Sequence, residues 1–195
     1  LGNDFIHSKY IGILKDSKKN IIKSFAKNCS KHDVIITTGG ASVGEEDHLI
    51  DVIKKMGKIF FWKTAIKPGR PLAIGKIRNT LIICLPGNPV SVHLLYGMII
   101  KPFLNFLCGS SLIMPFGFPV KTTFSMKKKT LRLEWLRVIK NTDTKIFKVS
   151  KHKKQGSGMI SSMAYSDGII EIPENISNIK VGDIFIFYPF ETLFK

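Results

Sequence analysis

Apolar and polar positions follow two different rhythms along this chain, and the change comes near Gly109. In the first part, Val34-Ile35-Ile36 is a short continuous apolar run, the pattern of a buried strand, while Leu49, Val52, Ile53 and Met56 recur at the spacing of one helical face. Asp16-Ser17 reads as a helix start, followed by Ile21, Ile22 and Phe25 on one side. The pattern predicts strands at Val34–Thr38, Ile59–Ala65, Leu72–Gly75 and Leu81–Leu85. Helices are predicted over Glu46–Met56 and from Pro89 to about Leu107. Such alternation implies a largely parallel sheet with helices on its faces. Lys76-Ile77-Arg78-Asn79 separates two strands closely enough for a hairpin, so a mixed edge is expected.

Beyond Gly109, Pro115, Gly117 and Pro119 read as a linker. Short alternating segments follow at Arg132–Lys140, Lys145–Ser150, Gly168–Ile172 and Asp183–Tyr188, with no long helix, which predicts an all-β module. The expected organisation is an α/β domain over 1–110 and an all-β domain over 111–195.

Between the first strand and the second helix lies Thr37-Thr38-Gly39-Gly40-Ala41-Ser42-Val43-Gly44-Glu45-Glu46-Asp47. Strand, glycine loop and helix is a geometry that presents backbone N–H groups to an anion, and glycine lets the main chain approach a phosphate. The same loop can serve only to join strand to helix. Two further segments stand out: Lys63-Thr64-Ala65-Ile66-Lys67-Pro68-Gly69-Arg70-Pro71 and Leu85-Pro86-Gly87-Asn88-Pro89-Val90-Ser91. The order and spacing of these three segments resemble the central domain of molybdopterin molybdenumtransferases, the MoeA family that includes the gephyrin E domain. Leu133-Glu134-Trp135-Leu136-Arg137 and Gln155-Gly156-Ser157-Gly158 are similar to that family's C-terminal β domain.

The resemblance implies a three-layer α/β/α sandwich of the molybdopterin-binding type followed by a small all-β domain. It also implies insertion of molybdate into adenylylated molybdopterin with release of AMP. The family's catalytic positions fall on Asp16, Asp47, Lys63 and Lys67, with Asp16 and Asp47 holding Mg²⁺ and the two lysines holding molybdate. Its ligand-binding positions fall on Thr38, Gly39, Gly40, Ser42, Gly44, Arg70, Pro86, Gly87, Asn88 and Pro89, and in the β domain on Arg137 and Ser157. Each has a plainer reading. Asp16 and Asp47 suit helix N-termini, where acids are favoured anyway. Lys63 and Lys67 could be strand-end lysines, and Pro86-Gly87-Asn88-Pro89 a strand-to-helix turn with Pro89 at the first helical position. Arg137 shares a strand face with Leu133 and Trp135, where a structural ion pair is the common answer.

The resemblance begins inside the family's central domain. The expectation is therefore a chain lacking that domain's first strand and helix, working as a homodimer or with a separate chain that supplies the N-terminal domains. A non-catalytic scaffold of the same family is the alternative.

Composition narrows the classes. A hydrophobic fraction of 44% suffices for folded cores. Cys29, Cys84 and Cys108 are widely separated with no C-x-x-C pair, which argues against disulfide scaffolding and structural zinc and fits a reducing cytoplasm. No stretch reads as long and apolar enough to span a membrane. The net charge of +16 invites a nucleic-acid reading, but the basic residues are dispersed and only four of the 30 are arginine, the main reader of base edges. A solvated lysine coat that draws in anionic small molecules, with no specific nucleic acid, is the preferred reading.

Overall fold

A computed structural model of the chain describes residues 6–40, 48–141, 147–153, 155–156 and 158–194. In chain order the elements are α1 (Lys18–Asn28), β1 (Val34–Thr38), α2 (His48–Met56), β2 (Lys58–Trp62), β3 (Ile66–Lys67), β4 (Ala73–Ile77) and β5 (Thr80–Leu85). Next come α3 (Pro89–Leu95), a π-helical turn (Tyr96–Ile100), α4 (Lys101–Leu107), β6 (Phe118–Thr122), β7 (Met126–Lys127), β8 (Leu133–Asn141) and β9 (Lys148–Lys151). The chain ends with α5 (Ser161–Ala164), β10 (Gly168–Ile172), β11 (Asn178–Ile179), β12 (Ile184–Pro189) and α6 (Phe190–Phe194). By packing these form two compact units, each assembled from separated segments. One draws on Leu1–Thr64, Pro71–Gly87 and Phe103–Leu112, the other on Ala65–Arg70, Asn88–Pro102 and Ile113–Lys195.

The first unit is built on a four-stranded sheet in the order β1-β5-β4-β2. Ile21 and Phe25 of α1, and Leu49, Ile50, Val52 and Ile53 of α2, pack with Ile35, Ala73, Ile77 and Ile82 of the sheet. Ile50 and Ile53 are each about 1% exposed, and burying such a side chain stabilises by roughly 1.5–3 kcal/mol. The α1 start is fixed by Ser17, whose side chain accepts from the Asn20 N–H. Asp16 is therefore not the cap: it stands one residue outside the helix. The expectation of a largely parallel sheet needs correction, since among the described residues of this sheet β1–β5 is the one parallel pair. The two-residue turn Arg78-Asn79, with Arg78 at φ 54°, folds β4 back against β5, and β2 then pairs antiparallel with β4. The strand expected over Ile59–Ala65 stops at Trp62, because Lys63 takes φ 73° and leaves the extended region.

The second unit is an all-β barrel-like body. Its strands run β10-β12-β6-β9-β8, and β8 pairs again with β10, so the ring closes; β3 adds alongside β8. Val120, Leu136, Val138, Val149, Ile170, Ile172, Phe185 and Phe187 form its core. The segment expected as a linker partly belongs to it. Pro119 lies within β6, opposite Ile186 of β12, while β9 meets β6 only at Lys121 and Thr122. A proline can therefore sit where no neighbour needs its missing N–H.

Another expectation is overturned. The helical run Pro89–Leu107 spans 19 residues and is, by length and composition, apolar enough to cross a membrane. Half of it is buried inside the protein, with Val90, Leu94, Leu95 and Ile100 fully inaccessible, so it has the character of a core helix.

Candidate functional site

In the first unit, β1 and β5 are adjacent and parallel, so Thr38 and Leu85 lie opposite each other at the same end of the sheet. The chain leaves both strands through glycine. Gly39 and Gly40 take φ 80° and 73°, conformations that L side chains adopt only with strain. A Cβ on Gly87 would lie 3.4 Å from Gly39 Cα, so the two turns are in van der Waals contact. The Gly39 N–H donates to the Leu85 carbonyl at 3.1 Å and fixes this approach. Thr38, Gly39, Gly40, Pro86 and Gly87 are thus brought together beyond the carboxyl ends of the strands, where ligands enter sheets of this kind. The hydroxyl of Thr37 is buried and has no hydrogen-bond partner among the described residues.

β2 runs in the same direction as β5, with β4 between them. Its carboxyl end therefore places Lys63 on the same sheet edge, two strands from Pro86, or roughly 10 Å at the spacing of neighbouring strands. The Lys63 N–H donates to Leu72 O at 3.0 Å, and its ammonium stands 4.2 Å above the Trp62 ring, with Lys54 5.4 Å from the same ring. A cation held over an aromatic face is oriented by the ring quadrupole. Asp16 is exposed, before α1. Ser42, Gly44 and Asp47 lie outside the described residues.

The second unit carries Lys67, Arg70, Asn88, Pro89 and Arg137. Gly69, at φ 143°, packs so closely on α3 that a Cβ there would stand 3.0 Å from Leu95 Cδ2. This holds the exposed Lys67 and Arg70 beside the helix that Pro89 opens and Asn88 caps. Lys67 Nζ donates to Glu134 Oε1 at 2.9 Å. The lysine side chain is 56% exposed and that of the glutamate 9%, so the carboxylate lies beneath the ammonium. Nearby Lys128 is itself buried and donates to the Arg132 carbonyl at 2.6 Å. Burial pushes the Lys128 ammonium down from its usual range, Glu134 and Glu174 push it back up, and Lys67 lowers it.

Arg137 is fully buried, and desolvation lowers its pKa. Its guanidinium donates to Gly156 O at 3.2 Å, and its backbone N–H donates to Gln155 Oε1 at 3.1 Å. The Gln155 amide in turn donates to the carbonyls of Arg137, at 2.7 Å, and His152, at 3.0 Å. Arg137 and Gln155 thereby fix the loop that leads to Ser157, which lies outside the described residues. A Cβ on Gly158, just after it, would lie 3.9 Å from Asn88 Nδ2. Two residues of this arrangement carry no expected role from the sequence. Glu134 stands out only as part of the Leu133-Glu134-Trp135-Leu136-Arg137 run, and Gln155 only as part of the Gln155-Gly156-Ser157-Gly158 run.

The profile of the family described as "Probable molybdopterin binding domain" matches residues 4–105, and that of "MoeA C-terminal region (domain IV)" matches residues 119–190. The chain is 34% identical over 186 residues to the molybdopterin molybdenumtransferase of Haemophilus influenzae, covering 94% of this chain and 46% of that protein. It is 30% identical over 180 residues to the molybdopterin molybdenumtransferase of Synechocystis sp., covering 90% and 43%. Among solved structures, a molybdopterin biosynthesis moea protein from Pyrococcus horikosii superimposes with a TM-score of 0.73 at 25% identity, covering 92% of this chain and 42% of that one. A molybdenum cofactor biosynthesis protein from Pyrococcus furiosus, at 22% identity and a TM-score of 0.71, shares the fold over 92% of this chain and 57% of its own. The chain spans about half the length of the curated relatives it matches.

Proposed function

The chain belongs to the molybdopterin-binding domain family, with a MoeA C-terminal region behind that domain, and we propose that it serves the insertion of molybdate into adenylylated molybdopterin, with release of AMP, in molybdenum cofactor biosynthesis. The observation that carries this reading is the pair of glycine turns, Thr38-Gly39-Gly40 and Pro86-Gly87, in contact beyond the ends of two adjacent parallel strands. A main chain without side chains at its closest point suits a pyrophosphate. Ser42 and Gly44 would continue the same cradle. Lys63, on the same sheet edge, supplies a positive charge for a dianionic oxyanion. In the second unit Lys67 and Arg70 are the further cations assigned to molybdate and ligand, with Asn88 and Pro89 forming the turn beside them. Arg137 acts by holding the Ser157 loop rather than by direct exposure.

Mg²⁺ on Asp16 and Asp47 rests on the resemblance alone. Asp16 is exposed, Asp47 lies outside the described residues, and no three His, Cys, Asp or Glu come together among the described residues. Mg²⁺ is commonly bound through one or two carboxylates, with water and substrate phosphates completing its shell, so Asp16 and Asp47 would suffice to hold it where it meets a pyrophosphate. The three-layer sandwich is also part of the proposal, with α1 and α2 as its layer on one side. So is the homodimer.

The test is AMP release from adenylylated molybdopterin as molybdate is added, with the N-terminal portion of a relative supplied in trans. Release that follows molybdate and disappears in Asp47→Ala, with the fold retained, supports the reading. Release independent of molybdate contradicts it.

A further inference from the structure

Lys67 does not stand alone. β3 and β8 pair in parallel with Lys67 opposite Glu134, and the backbone link from Leu133 N–H to Ala65 O, at 2.9 Å, fixes that register. Alternation along β8 puts Glu134 on the face that sends Leu136 and Val138 into the barrel core, so its carboxylate is confined at the end of that core. An ammonium has three donors, and Glu134 takes one of them, leaving two turned toward the exposed side. Lys128 places a second, buried positive charge beside the same carboxylate, while Glu174 faces Lys128.

We infer that Glu134 is a positioning residue for Lys67: its buried carboxylate fixes the ammonium at the end of β3 and offsets part of its charge, so that an oxyanion is held in one place but not tightly. The inference rests on the reading that Lys67 holds molybdate. An uncompensated surface lysine would grip a dianion more strongly but would sample many rotamers. A fixed and half-neutralised one presents two donors at a defined point, as suits an anion that must be handed on.

The experiment measures molybdate binding by equilibrium dialysis and the order of the Lys67 ε-carbon by ¹³C relaxation, in the full chain. Glu134→Gln keeps the size and an acceptor oxygen but removes the charge. It is expected to tighten molybdate binding about threefold to tenfold, from the loss of a like charge near the anion, and to release Lys67 to the mobility of an ordinary surface lysine. Glu134→Asp retains the charge and is expected to restore the molybdate affinity of the unaltered chain within about twofold. In a Lys67→Met background the ammonium that brings the anion beside Glu134 is gone, so Glu134→Gln should then change molybdate affinity by less than about twofold. The inference is overturned if Glu134→Gln changes neither affinity nor Lys67 order, if Glu134→Asp behaves like Glu134→Gln, or if the effect persists without Lys67. If Lys67→Met alone leaves molybdate binding untouched, the oxyanion role of Lys67 fails and the inference falls with it; Lys67 order in Glu134→Gln then tells this failure from the absence of the pair.

Discussion

Gly39→Ala separates a structural glycine from one that admits a phosphate. Gly39 sits at φ 80°, and its added Cβ would meet only Gly87 Cα, at 3.8 Å, an ordinary contact. The cost to folding is therefore conformational rather than steric. Placing an L-residue in the left-handed region costs about 1–2 kcal/mol. The reduced freedom of the unfolded chain returns about 0.4–1 kcal/mol. The net loss is at most about 1.6 kcal/mol, or a fall in Tm of up to about 6 °C for a chain of this size. If the turn only joined β1 to α2, that would be the whole effect. If it cradles a pyrophosphate, the methyl group occupies the closest approach, and affinity for adenylylated molybdopterin should fall at least tenfold, about 1.4 kcal/mol, beyond the stability loss. Thermal unfolding and ligand titration on the same preparation give both quantities. A Tm loss of the expected size with unchanged affinity would refute the cradle.

Replacing Lys63 and Lys67 together by methionine removes two cations while keeping their stems, so the apparent requirement for molybdate should rise sharply while adenylylated molybdopterin still binds; the reverse pattern in a two-ligand titration would assign the lysines to the phosphates. Gln155→Ala removes the acceptor of the Arg137 N–H and one donor each from the carbonyls of Arg137 and His152, and a loss of about 1–3 kcal/mol is expected in urea unfolding, with faster amide exchange at Arg137. Asp51 is held below its ordinary value near 3.8 by the hydrogen bond and charge of Lys18, 2.8 Å away. Its contribution is present above that value and is lost as pH falls through the lowered one, so Asp51→Asn should leave stability on the far acid side unchanged, lower it slightly at neutral pH, and flatten the acid limb by that same small amount.

The apolar rhythm was enough to locate β1, β5, α1 and the barrel strands β8, β10 and β12, because each carries a continuous or alternating signal of its own. Periodicity alone could not give their directions, although the short Lys76–Asn79 spacing did announce the hairpin between β4 and β5. The sheet is mixed because of a two-residue turn at Arg78-Asn79, and turn geometry, not periodicity, decides whether neighbours run parallel. β6 was hidden by Pro119, a residue that usually ends strands but here lies beyond the reach of β9. Lys63 was legible as a cation near a glycine turn, but its left-handed backbone and its seat over Trp62 depend on tertiary contacts. The partnership of Lys67 with Glu134 joins residues 67 positions apart, and nothing local in either segment announces it.

The proposed function requires this chain to recognise an adenylylated pterin through the paired glycine turns. Calorimetric titration with adenylylated molybdopterin, beside the same pterin lacking the adenylyl group, tests it most directly. The account predicts saturable binding at one ligand per chain, at least tenfold weaker, or about 1.4 kcal/mol, for the pterin without its pyrophosphate link. Equal affinity for the two, or no binding of either, would contradict it.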